Sequence, residues 1–175
     1  MFLIAVPQLG DPNFSKSVIL VLQHDSEGAM GLMINSPTLT TIGQYAESQG
    51  LDCPSQISAS PILKGGPVEP ERGWILHDRD DIEEKKEILP GVYLSTTLTT
   101  LQELIEEGDS DFRLILGYAG WGEKQLENEM REGAWITTKA DGKYIFETTV
   151  TATWTHILSD MGVDPARLMV GTGLH

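Results

Sequence analysis

Residues 17–34 read Ser-Val-Ile-Leu-Val-Leu-Gln-His-Asp-Ser-Glu-Gly-Ala-Met-Gly-Leu-Met-Ile, and this stretch decides the fold class. Residues 17–23 are β-branched and continuously apolar in the middle, which predicts a strand buried on both faces. Residues 29–34 form a second apolar run, and the polar residues 24–28 between the two are typical of a turn. The stretch therefore predicts two antiparallel strands joined as a hairpin.

Helix and strand signals alternate along the rest of the chain. Capping-box spacings predict helices that begin at Thr41 and at Thr100, and residues 151–161 carry apolar side chains at helical spacing. Residues 112–116 predict another buried strand, and residues 144–146 predict the second strand of a hairpin that turns at Asp-Gly. We therefore predict an α+β fold with a largely antiparallel or mixed sheet, in one domain spanning all 175 residues.

The charge balance bears on the class of partner. The chain has 26 acidic and 12 basic residues, a formal net charge of -14. A nucleic-acid partner requires clustered Lys and Arg that displace counterions from phosphates, and the one adjacent basic pair, Lys85-Lys86, lies inside the acidic run 78–87. We therefore expect no direct binding of this chain to DNA, RNA or an anionic membrane.

Cysteine usage and the N-terminal residues predict a cytoplasmic protein. The one cysteine, Cys53, excludes an intramolecular disulfide and a Cys-rich zinc site, which fits a reducing compartment. The apolar run 1–6 lacks a basic leader and is too short for the core of a signal peptide, and no stretch of the sequence approaches the length of a membrane span.

The sequence contains no P-loop, dinucleotide fingerprint, Gly-x-Ser-x-Gly or His-Glu-x-x-His motif. His24-Asp25 and His77-Asp78 could ligate a metal or transfer protons. The alternative is that each His caps a strand and each Asp begins a turn. We favour this alternative, and predict neither a metal site nor a cofactor.

The bend Gly65-Gly66-Pro67 follows Lys64 and has the look of a phosphate-binding loop. The carboxylates of Glu69 and Glu71 follow it, however, and they would repel an anion. We therefore predict that the two glycines permit a tight bend or a close backbone contact.

Residues 117–122, Gly-Tyr-Ala-Gly-Trp-Gly, are the densest set of unusual residues and lie between a predicted strand and a polar helix predicted over 123–131. Their glycines and aromatic rings could shape a pocket, in which free amides at the helix N-terminus would meet a ligand carboxylate or phosphate. The alternative is that Tyr118 and Trp121 belong to the core or its rim, and that the glycines serve packing.

Several motifs, in this order along the chain, resemble the AlgH/YqgE family of bacterial proteins. They are Phe-Leu-Ile-Ala-Val-Pro (2–7), Ser-Val-Ile-Leu (17–20), Glu-Gly-Ala-Met-Gly-Leu (27–32), Gly-Gly-Pro-Val (65–68), Glu-Arg-Gly-Trp-Ile-Leu-His (71–77), Gly-Tyr-Ala-Gly-Trp (117–121) and Gln-Leu-Glu (125–127). The resemblance implies a compact α+β fold whose bifurcated, barrel-like sheet is surrounded by helices. The family is often labelled a transcriptional regulator through a link to alginate control, is otherwise of unknown function, and has no established catalytic residues.

Three functional hypotheses follow. The leading one is a non-enzymatic cytosolic binding or regulatory protein that acts through an unknown protein or small-molecule partner. The second is a small-molecule hydrolase or transferase with its pocket near residues 117–121, and the third is the regulator of the family label, with direct DNA binding disfavoured by charge. The candidate ligand or pocket residues are His24, Asn35, Gly65, Gly66, Arg72, His77, Gly117, Tyr118, Gly120, Trp121, Gln125 and Glu127.

Overall fold

The computed structural model describes residues 1–7 and 11–170, which contain one ten-stranded sheet and seven α-helices. The strands are β1 (Phe2–Ala5), β2 (Val18–Asp25), β3 (Gly28–Met33), β4 (Pro37–Thr41), β5 (Pro61–Lys64), β6 (Val68–His77), β7 (Lys86–Leu89), β8 (Val92–Ser95), β9 (Phe112–Trp121) and β10 (Trp135–Thr138). The helices are α1 (Ile42–Gln49), α2 (Ser55–Ser58), α3 (Leu98–Glu107), α4 (Gln125–Arg131), α5 (Lys143–Phe146), α6 (Thr153–Asp160) and α7 (Pro165–Val170). No helix in this part of the chain is long and apolar enough to cross a membrane.

The sheet branches at β9. Its main path runs β10-β1-β2-β3-β9-β6-β8-β7, and β4 and β5 form a side branch on β9. The pairing of β5 with β9 is parallel and the other strand pairs are antiparallel, including the hairpin of β2 and β3. The predicted α+β fold, with a largely antiparallel and bifurcated sheet, is confirmed.

Gly65 lies at the branch point. Its backbone N–H donates to Leu116 O at 2.7 Å, and its carbonyl accepts from Met33 N at 2.9 Å, so this residue joins β9 to β3 where the branches separate. A Cβ on Gly65 would lie 2.3 Å from Gly117 O, and one on Gly66 would lie 2.2 Å from Tyr118 O. The predicted close backbone contact of these two glycines is therefore confirmed.

Three buried clusters form the core, because side chains alternate between the two faces of a strand. The central cluster lies between one face of the sheet and helices α5 and α6, and Trp154 of α6 donates its indole N–H to Ala5 O at 2.8 Å. On the opposite face, α1 and α3 cover the strands β5, β6 and β9. On that same face, α4 covers the strands from β10 through β3 to the end of β9.

The predicted strand at residues 144–146 is wrong, because these residues form helix α5. Gly142 adopts right-handed helical backbone angles, with φ of -60°, and the Asp141 carboxylate accepts from Lys143 N at 3.0 Å. The Asp-Gly pair therefore begins a helical turn here. Tyr144 then packs edge-to-face on Phe2, at 6.3 Å between ring centres, which fixes the turn against the central cluster.

Other boundaries also differ from the predictions. The turn predicted over 24–28 is shorter, because β2 runs to Asp25 and β3 begins at Gly28, and the helix predicted over 123–131 begins at Gln125. Helix α3 begins at Leu98, because Thr97 is its N-cap and accepts from Thr100 N at 3.3 Å, whereas the sequence predicted a start at Thr100. Strand β9 continues through residues 117–121, which the sequence placed between a strand and a helix. The glycines of this segment are accommodated because β3 and β6 supply its pairing partners.

We expect the substitution Gly65→Ala to lower the free energy of unfolding by about 2 kcal/mol or more, because its methyl group would overlap with a backbone oxygen that cannot move cheaply. Gly73→Ala is the matched control. Gly73 is half-buried, but its Cβ would lie 3.9 Å from the nearest side-chain atoms, an ordinary contact distance, so we expect a change within about 0.5 kcal/mol. Urea denaturation measures both. Equal stability of the two variants would contradict the branch-point assignment.

Candidate functional site

The Gly-Tyr-Ala-Gly-Trp segment lies within β9, and its side chains therefore divide between two faces of the sheet. Ala119 and Trp121 belong to the buried cluster under α4, and Trp121 is only 6% exposed. Its ring stacks on Phe14 at 6.3 Å and meets Trp135 edge-to-face at 6.0 Å. Tyr118 instead packs against the central cluster, on the other face. Trp121 is therefore a core residue, Tyr118 is half-buried, and both line one cavity.

Tyr118 lines a cavity of about 320 Å³ that we call the mouth groove. The groove crosses β2, β3 and β9, and its lining includes Gln23, Asp25, Glu27, Met30, Tyr118 and Gly120. Met30 and Tyr118 are half-buried and apolar, and the charged residues of the lining are both carboxylates. Gly120 is exposed, and a Cβ there would lie 3.6 Å from Tyr118 Cε2, so the glycine leaves the edge of the phenol ring accessible.

Arg72 and Tyr118 meet beside this groove, as two of the predicted candidates. The Arg72 guanidinium lies 4.4 Å from the centre of the Trp74 ring and 5.9 Å from that of Tyr118, and it pairs with Glu69 at 3.2 Å. The hydrogen bond that the Tyr118 hydroxyl donates to the Glu69 carboxylate raises the pKa of Tyr118, so the phenol stays neutral. Two aromatic rings and a carboxylate therefore already contact the Arg72 guanidinium.

Asp25 is held ionised at the rim of the groove. Its Oδ2 accepts from Gln23 Nε2 at 2.8 Å and its Oδ1 accepts from Glu27 N at 2.9 Å. These hydrogen bonds, with that of Gln23 the largest cause, lower the pKa of Asp25. Gln23, Glu27 and Met30 were not among the predicted candidates, and Asp25 was considered only as the neighbour of His24. The two-residue alternation of the predicted hairpin could have placed Gln23 and Asp25 on one face.

His24 and Glu127 form a separate pair on the face of the sheet that α4 covers. His24 Nε2 lies 2.5 Å from Glu127 Oε1, which ties α4 to the end of β2. Backbone hydrogen bonding, followed by the bond with His24, lowers the pKa of Glu127. Gln125 Oε1 accepts from Gly122 N at 2.9 Å, so the side chain of Gln125 already bonds one of the backbone amides that were predicted to meet a ligand.

Asn35, Gly65, Gly66 and Gly117 hold the backbone together. Asn35 Oδ1 accepts from Val18 N and its Nδ2 donates to Lys16 O, both at 2.9 Å, so its amide fixes the chain entering β2. Gly117 has φ of +78°, and a Cβ on this residue would lie 2.6 Å from Gly66 O. Asn35 therefore positions the start of β2, and the three glycines shape the branch of the sheet.

His77 is fully buried at the far end of β6. Its Nδ1 accepts from Arg79 N at 3.2 Å, so Nε2 carries the hydrogen and donates to Ser95 Oγ at 2.8 Å. His77 pairs with Phe112, six residues along β9 from Tyr118, or roughly 20 Å at about 3.3 Å per strand residue. The pocket of the enzyme hypothesis, which included His24, Asn35 and His77, is therefore not assembled at one place. Within residues 1–7 and 11–170, no three His, Cys, Asp or Glu side chains group as a metal site requires.

We expect the free energy of unfolding to fall as the pH decreases from 7 to 5. Burial lowers the pKa of His77 below its ordinary value of about 6.5, so the unfolded chain binds a proton there before the folded protein does. The stabilisation is complete above about pH 7 and is lost as the pH falls. Urea denaturation at each pH should show a smaller slope for His77→Gln than for the wild type. A wild-type slope in His77→Gln would contradict the assignment.

Comparisons with known proteins agree with the fold and the motifs. A family model described as AlgH-like matches residues 2–166. A UPF0301 protein from Myxococcus xanthus is 43% identical over 173 residues, which cover 99% of this chain and 96% of that relative. Another from Xanthomonas campestris is 40% identical over 169 residues, covering 95% and 90% of the two chains.

Two solved structures are similar to this one. A Corynebacterium diphtheriae protein, at 17% identity and a TM-score of 0.68, shares the fold over 91% of this chain and 84% of its own. The solution structure of the AlgH protein from Pseudomonas aeruginosa aligns with a TM-score of 0.74 and 32% identity, covering 99% of this chain and 92% of that one. With the family model and these relatives extending over nearly its whole length, the chain belongs to the AlgH-like family.

Proposed function

We propose that the protein is a non-enzymatic binding protein that holds a basic segment of a partner protein in the mouth groove. The observation that carries this proposal is the pairing of a half-buried apolar floor, Met30 and Tyr118, with two carboxylates, Asp25 and Glu27, as the charged residues of the lining. The face of an accessible phenol ring together with nearby carboxylates is the environment in which proteins bind guanidinium and ammonium groups.

The existing contact of Arg72 supports this chemistry. Its guanidinium already lies over Trp74 and Tyr118 and pairs with Glu69, which is the same combination of ring and carboxylate within the protein itself. A second guanidinium, supplied by a partner, would meet the Asp25 and Glu27 carboxylates of the lining beside the Tyr118 ring. Because hydrogen bonds fix Asp25 in place, little side-chain entropy would be lost on binding.

The net charge of -14 favours the same class of partner. A basic segment would be attracted at long range, whereas a nucleic acid would be repelled. Any regulatory role would then act through a protein rather than by direct contact with DNA. The reduced Cys53 thiol is compatible with a cytoplasmic location, which we include in the proposal.

A fluorescein-labelled Gly-Arg-Gly-Arg-Gly peptide, followed by fluorescence anisotropy, tests the proposal. We expect the double variant Asp25→Asn/Glu27→Gln to bind it about fivefold more weakly or worse, because both charge contacts are lost while the side chains keep their shape. Tyr118→Leu should also weaken binding, since an aliphatic side chain offers no ring to the guanidinium.

The matched control is the double variant Glu83→Gln/Glu106→Gln, which removes the same number of charges from exposed positions outside the groove. It should bind the peptide nearly as well as the wild type. If both double variants lose affinity equally, the peptide responds to net charge alone and the assignment to the mouth groove is wrong.

A further inference from the structure

A second groove lies between β6 and the first turn of α3, on the face of the sheet that α1 and α3 cover. Its cavity of about 230 Å³ has a mainly aliphatic lining, which includes Tyr45, Gly73, Leu98, Leu101, Leu114 and Leu116. Leu98, the first residue of α3, is 50% exposed above it. We call this cavity the Leu98 groove. An aliphatic side chain left half in water beside an apolar cavity is a position that a partner's side chain can cover.

In residues 1–7 and 11–170, β8 pairs with β6 only from Ile75 onward, so the edge of β6 beside this groove has no strand partner before that residue. Among the described residues, the first half of β6 therefore has β9 as its one neighbouring strand. Residues 68–72 are exposed. Backbone N–H and C=O groups along such an edge can pair with an extended segment from another chain.

Gly73 leaves the groove open at this edge. A Cβ on Gly73 would lie 3.9 Å from Leu114 Cδ1 and Leu116 Cδ2, which is beyond any steric overlap. The missing side chain therefore creates space directly above these two leucines, next to the strand backbone. A residue from an added strand could place an aliphatic side chain in that space without displacing any part of the protein.

Carboxylates on both sides of the Leu98 groove select the occupant. Glu71 lines it from β6. On the other side, the Glu84 carboxylate accepts from Thr96 N at 3.2 Å, and Thr96 belongs to the lining. A second copy of this chain, with its own net charge of -14, would be repelled, as would a nucleic acid. A basic polypeptide segment is the complementary occupant.

We propose that an extended basic segment of a partner protein adds to the edge of β6 at residues 71–73 and inserts an aliphatic side chain between Gly73 and Leu98, while its flanking cations lie near Glu71 and Glu84. The Leu98 groove is on the face covered by α1 and α3, whereas the mouth groove borders the central cluster. The two sites are therefore separate, and each can fail without the other.

Two labelled peptides of equal charge, Arg-Leu-Arg-Leu-Arg and Arg-Ser-Arg-Ser-Arg, distinguish apolar insertion from simple charge attraction. We expect the wild type to bind the leucine peptide about tenfold more tightly, the effect of burying one aliphatic side chain. Gly73→Val fills the cavity and should abolish this preference. Leu98→Ser, a change at a half-exposed position, should reduce it several-fold with little effect on folding.

Asp25→Asn/Glu27→Gln should retain the leucine preference, because the mouth groove does not contribute to it. Amide hydrogen exchange should also slow at residues 71–73 when the leucine peptide is bound, as expected for a paired strand edge. Should Gly73→Val fail to fold, Leu98→Ser and the exchange measurement decide the question. Equal binding of the two peptides by the wild type, an unchanged preference in Leu98→Ser, or unprotected amides at residues 71–73 would each overturn the proposal.

Discussion

The fold depends on one steric constraint, which is the contact between the backbones of residues 65–66 and residues 117–118. A side chain on Gly65 or Gly66 would overlap with backbone atoms across this contact. Because the two segments touch, Gly65 can bond to Leu116 and to Met33 at once, and the sheet divides without leaving these buried backbone groups unpaired. All three core clusters take residues from β9, so the position of this strand sets the whole interior.

The same contact determines which side chain faces the mouth groove. Ile115 and Tyr118 are three residues apart, and in a regular strand they would point to opposite faces. Both pack against the central cluster, because Gly117 adopts a left-handed backbone, with φ of +78°, and shifts the alternation by one residue. On the facing strand the register shifts as well, and Glu69 is left-handed with φ of +44°. Paired irregularities of this kind redirect side chains at functional sites.

Sequence patterns could predict the parts of this fold that are decided locally. The hairpin of β2 and β3 is one, since its strands and its turn lie within one short stretch. Residues 144–146 are the opposite case: an Asp-Gly pair suits a hairpin turn and a helical turn alike, and the choice depends on distant partners of Tyr144, namely Phe2 and Asp160. The pairing of His24 with Glu127 joins residues 103 positions apart, which no local pattern encodes.

The candidate site was predicted only in part, because residue types can be read locally whereas their spatial neighbours cannot. Tyr118, Gly120 and Arg72 stood out by residue type and do lie together at or beside the mouth groove. His77 stood out by its neighbouring Asp, but burial and a hydrogen bond to Ser95 account for it. Asp25 stood out only as the neighbour of His24, and Glu27 was not a candidate, because single acidic residues are common in a chain with 26 of them. Only the fold shows that both line a cavity with the ring of Tyr118.

The excess of acidic residues also affects which chains can pair with the edge of β6. A strand edge next to exposed aliphatic residues invites pairing between identical chains, and proteins commonly prevent this with charges and prolines on the edge. Glu69, Pro70 and Glu71 occupy that position here, and any second copy would bring carboxylates of its own. Pro70 has no backbone N–H to donate to a neighbouring strand, and the carboxylates repel those of a second copy. The backbone of residues 71–73 nevertheless lies beside an apolar cavity. The carboxylates of Glu69 and Glu71 would therefore disfavour pairing with a second copy of the chain and favour pairing with a segment of opposite charge.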